Sequence, residues 1–197
     1  FSPYLRLILL FLAAAFAVGA GIGIAFINNP LIHFPLLPVN FTNPILNLDQ
    51  ITIPINFYGN HKIILLADIL AFIWIVALTQ IINWSKGVDG QMPGITLIAA
   101  IVLGILSLKF YFQGDMNQLT IAKLAFITAG VSLGFLIFNW HPAKILPGFS
   151  GSTILAYLLA VLAILSGAKL ATALLVLGIP TADFVYTFYN YSLFSCY

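Results

Sequence analysis

Charge is what this sequence has least of. Its 197 residues include seven lysines and arginines, five aspartates and no glutamate, so only 6% of the chain is charged. Soluble domains carry about 25% charged residues. A chain this poor in ions, 62% hydrophobic and with a mean hydropathy of +1.11, has lipid as its main solvent. A net charge of +2 is too small for the basic footprint of a nucleic-acid binder, and no nucleic-acid partner is expected. The single cysteine, Cys196, excludes an internal disulfide framework and any cysteine-rich metal site. The first apolar run follows SPYLR, with no basic leading region and no small-residue cleavage site, which argues against reading it as a signal peptide. The chain opens on Phe1 and ends on FYNYSLFSCY without a basic flank, which reads as a piece of a longer protein.

Long apolar runs are what remains. A membrane-crossing helix needs about 20 mainly apolar residues. Residues 5–27, 63–82 and 119–138 meet that length. Residues 93–108 are shorter but unbroken, with Pro93 expected at the tolerated first position of the helix. Residues 153–165 and 170–189 flank SGAK, which reads as a tight turn between antiparallel helices. The expectation is an all-α polytopic membrane protein, a single transmembrane domain over 1–197 with about six spans. The fifth span, over 153–165, is nearer the length of a re-entrant or buried helix.

Six alternating spans sort the loops onto two faces. One face receives loops 83–92 and 139–152; the other receives 28–62, 109–118 and SGAK. Lysine and arginine counts usually set orientation, yet here Arg6, Lys86 and Lys144 oppose Lys62, Lys109, Lys123 and Lys169 and decide nothing. Within 28–62, Ile51, Ile53, Ile55 and Phe57 alternate with Thr52, Pro54 and Asn56, the period of a strand. Pro54 confines such a strand to an edge, and YGN is turn chemistry. A small β-hairpin on the membrane surface outside the helices is expected there. Asp68 sits early in its helix, where water near the surface can solvate it.

The dense polar punctuation falls on the first face. In TQIINWSKGVDGQMPG, Gln80, Asn83, Lys86 and Asp89 recur at steps of three, which gathers amides, an ammonium and a carboxylate on one side of a helix end. Gly87 and Gly90 allow a sharp turn or close approach to a ligand. The second loop offers Asn139, His141 and Lys144, then GFSGS opening the next helix, where backbone N–H groups attract phosphate. Two readings follow from the residues: caps at the level of the lipid headgroups, or a site for a phosphorylated ligand. A small channel or transporter suits six spans but not one-sided loops, and no internal repeat is present.

NWSKGVDGQMPG resembles the N-x-x-N-x-x-D-G-x-D-G loop of the polyprenyl-phosphate N-acetylhexosamine-1-phosphate transferases. FNWHPAKILPGFSGS is similar to their N-x-x-P-A-K-x-F-M-G-D-x-G-S loop. GIPTADFVY is similar to their P-x-x-D segment, at Pro180 and Asp183, and SPYLRLIL to the stretch after their D-D motif, with Arg6 at a basic position. The resemblance implies transfer of a phospho-N-acetylhexosamine, of the GlcNAc or MurNAc-pentapeptide type, from a UDP-sugar to polyprenyl phosphate. It also implies Mg²⁺ as cofactor, the bacterial inner membrane with its active face cytoplasmic, and a homodimer. On this resemblance Asp89 and Lys86 are catalytic, with Asp89 the metal ligand. Gln80, Asn83, Gly90, Asn139, Lys144, Gly151, Ser152 and Asp183 contact substrate.

The departures fall on the acids. Lys86 stands where the family has the first aspartate of D-G-x-D-G, Phe149 where it has the aspartate of M-G-D-x-G-S, and Gln80 where it has the first asparagine. Mg²⁺ takes oxygen ligands, and Phe149 has none to give. Lys86 could neutralise a substrate phosphate directly. The alternative is a catalytically lapsed homologue that binds polyprenyl phosphate or scaffolds envelope enzymes.

Overall fold

Glycine decides where the first helix stops. The computed structural model describes residues 3–24, 26–28, 45–47, 52–53 and 63–167, with isolated positions 178, 182 and 186. Helix α1, Pro3–Gly19, ends where Gly21 adopts φ 93°, a left-handed conformation that favours glycine. The N–H groups of Ala20, Gly21 and Ile22 bond back to the carbonyls of Phe16, Val18 and Ala17. The apolar run expected to be helical over 5–27 is therefore helical for 17 residues only, short of the about 20 a crossing needs. Hydropathy continues past the glycines, but the helix does not.

Two short antiparallel ladders follow. β1 (Phe26–Asn28) pairs with β2 (Ile45–Asn47), and β3 (Thr52–Ile53) pairs with β4 (Ile63–Ile64). Of the strand expected over 51–57, Thr52 and Ile53 are described; the rest of that hairpin lies outside the described residues. Helix α2 (Leu65–Trp84) passes into a 3₁₀ turn at Ser85–Gly87. Helix α3 (Gln91–Phe112), helix α4 (Gln118–Asn139) and helix α5 (Phe149–Leu165) complete the described chain. Pro93 falls at the third position of α3, not its first; its missing N–H costs nothing there, because the first N–H groups of any helix lack partners. α5 begins four residues earlier than the apolar run suggests, because GFSG forms its first turn.

Three helical stretches, Ala67–Gly87, Gln91–Phe112 and Gln118–Asn139, are long and apolar enough to cross a membrane. α1 and α5 are apolar but 17 residues each. The sixth expected span, with Asp183, lies outside the described residues apart from isolated positions. Leu12, Phe16, Ile105, Ile127 and Ile137 face outward, as suits a membrane protein whose helices meet lipid.

Lipid is as apolar as leucine, so membrane helices associate through close packing of small residues. α3 and α4 form an antiparallel hairpin around the turn at 113–117, and its seam is small: Ala99, Ala100, Ala122, Ala125 and Ala129 are buried. Across this seam the Thr96 hydroxyl lies 3.1 Å from Ser132 Oγ. α5 is the central helix, packing on α2, α3 and α4 through Ala156, Leu159, Ala160 and Ala163. Its Tyr157 hydroxyl donates 3.0 Å to the Ala13 carbonyl of α1. At Gly104 the ring of Phe126 fills the space of a side chain: a Cβ there would sit 2.9 Å from Phe126 Cζ. Gly104→Ala is expected to cost about 1–3 kcal/mol by overpacking. Thermal unfolding in detergent checks it, with Gly130→Ala as control, since a Cβ at 130 meets nothing within 4 Å. An unchanged Tm for Gly104→Ala would mean that the ring swings aside.

Candidate functional site

Five helix ends converge at one end of the bundle. They are the start of α1, the end of α2, the start of α3, the end of α4 and the start of α5. Arg6 meets Phe149, Asn83 meets Ser152, and Asn139 meets Gly90 there, so loops 83–92 and 139–152, which the spans assign to one face, are in direct contact.

Two buried asparagines make the principal joints. Asn83, in the last turn of α2 and 4% exposed, accepts a hydrogen bond at Oδ1 from the Ser152 hydroxyl. Its Nδ2 donates to Thr153 Oγ1 at 3.2 Å, and Thr153 in turn donates to the Phe149 carbonyl at 2.7 Å. Asn139, the last residue of α4 and 1% exposed, accepts at Oδ1 from the Gly90 N–H at 2.9 Å and donates from Nδ2 to the Ile145 carbonyl at 2.7 Å. The Lys144 and Ile145 N–H groups return to the Phe138 carbonyl, at 2.9 and 3.2 Å, folding the second loop over the end of α4. Sequence reasoning places Asn83, Asn139 and Ser152 against substrate; the fold uses their polar atoms within the protein.

Asp89 bridges the two loops. Its Oδ2 accepts from the Ala143 N–H at 3.2 Å and meets His141 Nδ1 at 3.0 Å. His141 is 83% exposed, so water screens this pair and the contact orients the loop more than it stabilises the fold. Gly90 turns the chain with φ 73°, which places its N–H on Asn139 and strains any residue with a Cβ.

The other named residues occupy different settings. Gln80 is half-buried one turn before Asn83, Lys144 is exposed on the second loop, and Gly151 is exposed in the first turn of α5. Lys86, half-buried after the end of α2, holds its ammonium 4.7 Å from the centroid of the Phe149 ring. The guanidinium of Arg6 lies over the same ring at 4.7 Å. A ring face attracts cations, and two meet here.

The chain matches the glycosyl transferase family 4 over residues 1–167. The chain belongs to that family. It is 32% identical over 120 residues to the probable undecaprenyl-phosphate N-acetylglucosaminyl 1-phosphate transferase of Bacillus subtilis (strain 168), covering 58% of this chain and 32% of that protein. It is 36% identical over 107 residues to the phospho-N-acetylmuramoyl-pentapeptide-transferase of Moorella thermoacetica, covering 54% and 32% of the two chains. The enzyme of the same name from Levilactobacillus brevis is 37% identical over 97 residues, covering 49% and 28%. The chain thus spans about a third of the length of the curated relatives it matches.

Set against the glycosyl transferase family 4 loops, the two departures at Lys86 and Phe149 are one structural change, because the new ammonium lies on the new ring. Mg²⁺ is commonly held by one or two carboxylates together with substrate phosphates. Among the described residues Asp89 is the one carboxylate at this end, and one of its oxygens is already bonded to His141 and Ala143. No group of three histidine, cysteine or acidic side chains gathers among the described residues. This donor set, with two cations beside it, does not fit a divalent metal. Asp183 lies outside the described residues. Sequence reasoning assigns no site role to Arg6, His141 or Thr153, although it notes Arg6 at a basic family position and His141 in the second polar loop. Arg6 had the one usable signal, a basic residue at a family position, while the parts played by His141 and Thr153 depend on which helix ends meet.

Proposed function

We propose that the full-length protein transfers a phospho-N-acetylhexosamine from a UDP-sugar to polyprenyl phosphate, the first membrane step of an envelope glycan. The observation that carries this reading is the junction of the two polar loops, in a chain of this family, by Asn83, Asp89, Gly90 and Asn139 beside Lys86 and Arg6. In the reaction, an oxygen of the lipid phosphate attacks the phosphorus that bears the sugar. A new P–O bond forms, the bond to the uridylyl phosphate breaks, and UMP leaves with the electron pair. Such a transfer asks for positioning and charge neutralisation more than for covalent help. Lys86 and Arg6 supply positive charge, and the Asp89 and Asn139 contacts hold the loops that present it.

The reading places both loops on the cytoplasmic side, where UDP-sugars are made, and segment 28–62 with its hairpin on the other. Six crossings, with residues 170–189 as the sixth, satisfy that arrangement. GlcNAc and MurNAc-pentapeptide donors both remain within it.

The test is sugar-1-phosphate transfer by the full-length protein in detergent, followed as labelled sugar entering the lipid phase. Lys86→Ala is expected to lower turnover about tenfold to a hundredfold, the worth of one charge-assisted contact of about 1.5–3 kcal/mol. Lys86→Arg should restore it poorly, because a planar fork does not reproduce a point charge. Unchanged turnover in Lys86→Ala would remove Lys86 from the machinery. The replacement of two family acids favours one other reading, a homologue that binds polyprenyl phosphate without turnover. Absence of transfer by the wild type, where a relative is active, would select it.

A further inference from the structure

Arg6 and Lys86 are each 4.7 Å from one ring centroid, hence within twice that distance of each other. Among the described residues neither meets a carboxylate. Two like charges near one ring repel, and the ring offsets only part of that. Phe149 is also the first residue of α5. The first hydrogen bond within that helix runs from Ser152 N–H to the Gly148 carbonyl at 3.1 Å, so the N–H groups of 149–151 precede it and leave the helix end positive. The space around Gly148 and Gly151 is open, with nothing within 4 Å of a Cβ at either. Among the described residues, the two cations and the helix-end N–H groups at this spot attract an anion.

Behind the ring runs an apolar groove of about 510 Å³ between α1 and α5, with Arg6 and Phe149 in its lining. Leu5, Leu9, Ile154 and Leu158 are among its apolar walls, with Ser150, Thr153 and Tyr157 as polar members. A charged mouth on an apolar groove matches a single hydrocarbon chain that ends in a phosphate. It suits a nucleotide poorly, because, of the polar groups in its walls, Thr153 and Tyr157 are already bonded within the protein, which leaves Ser150 for a base and a ribose.

We infer that Arg6 and Lys86, mounted on Phe149, grip the phosphate of a single-chain isoprenoid lipid directly, with no divalent cation, while its chain lies in the α1–α5 groove. This rests on the reading of the protein as a polyprenyl-phosphate transferase and specifies how it holds its acceptor. The two residues that depart from the family pattern exchange a metal-coordinating acid for a cation and its aromatic support.

Native mass spectrometry of the full-length protein from detergent micelles tests it, with undecaprenyl phosphate and undecaprenol as probes, each in EDTA and in Mg²⁺. Retention of the phosphate is expected to exceed that of the alcohol about a hundredfold in EDTA and to change less than about twofold with Mg²⁺, since each of the two charge-assisted contacts, at about 1.4 kcal/mol, is a factor of ten. Arg6→Gln and Lys86→Gln should each remove about that factor while the Tm stays unchanged, both side chains lying outside the buried core. Phe149→Asp together with Lys86→Asp, which returns both acids, should make retention depend on Mg²⁺. Loss of wild-type phosphate retention in EDTA with recovery in Mg²⁺ would overturn the metal-free grip and leave the transferase reading standing. Equal retention of phosphate and alcohol in both conditions would overturn both. Displacement of the lipid by UDP-N-acetylglucosamine in EDTA would assign the cations to the nucleotide and overturn the lipid assignment.

Discussion

Asn139→Ala is expected to lower stability by about 2–5 kcal/mol in the absence of any substrate, because it leaves the Gly90 N–H and the Ile145 carbonyl without their partner at a buried joint. Hydrogen bonds between membrane helices average only about 0.6 kcal/mol when both partners can find substitutes. The larger figure follows from the site: the joint sits at 1% exposure, and the left-handed turn at Gly90 holds its N–H in place. Unfolding in detergent without ligand is the measurement. A residue that touched substrate alone would change KM and leave the apo protein as stable as before. An unaltered apo Tm with a raised KM would therefore return Asn139 to the substrate-binding role that its position in the motif implies.

Asn83→Ala is expected to act on a different joint, the one between α2 and α5. It removes the side-chain acceptor of the Ser152 hydroxyl and the donor to Thr153 at once, while the buried hydroxyl keeps the Gly148 and Phe149 carbonyls at 3.1 and 3.0 Å. The loss should be about 1–3 kcal/mol, the worth of two hydrogen bonds whose remaining partners keep other acceptors, again visible without ligand. Ser152→Ala tests the same contact from the other side. Because the two residues bond each other, the double variant should cost clearly less than the sum of the singles. Strict additivity would mean that Asn83 and Ser152 act separately, contrary to their geometry. Asn83→Ala and Asn139→Ala, at separate joints, should by contrast add.

Those joints mark how far the residues speak for themselves. Amides at steps of three near a helix end were legible as a polar cluster facing one side. What the amides bond was not, because Asn139 meets Gly90 49 residues away and Asn83 meets Ser152 and Thr153 69 and 70 residues away. Periodicity reports which face of its own helix a residue occupies, and carries nothing about which other helix end arrives beside it. Helix limits erred for local reasons. Hydropathy runs through Gly19 to Ile27, yet the backbone turns at Gly21. It also begins only at Thr153, yet the polar GFSG already forms the first turn of α5, where N–H groups need no partner inside the helix.

Composition by itself determined the solvent of this protein, since a chain with 6% charge cannot cover a surface that faces water. Loop composition determined which end gathers the polar groups, since glycine, amides and lysine lie in 83–92 and 139–152. Tertiary structure alone decided that Asn83 and Asn139 serve the fold before any ligand, and that Lys86 and Phe149 are one contact which Arg6 joins. The reason is physical. Burial in lipid depends on residue type averaged over a helix, which a sequence carries, whereas a hydrogen bond or a cation over a ring depends on a few ångströms between elements, which only their packing sets.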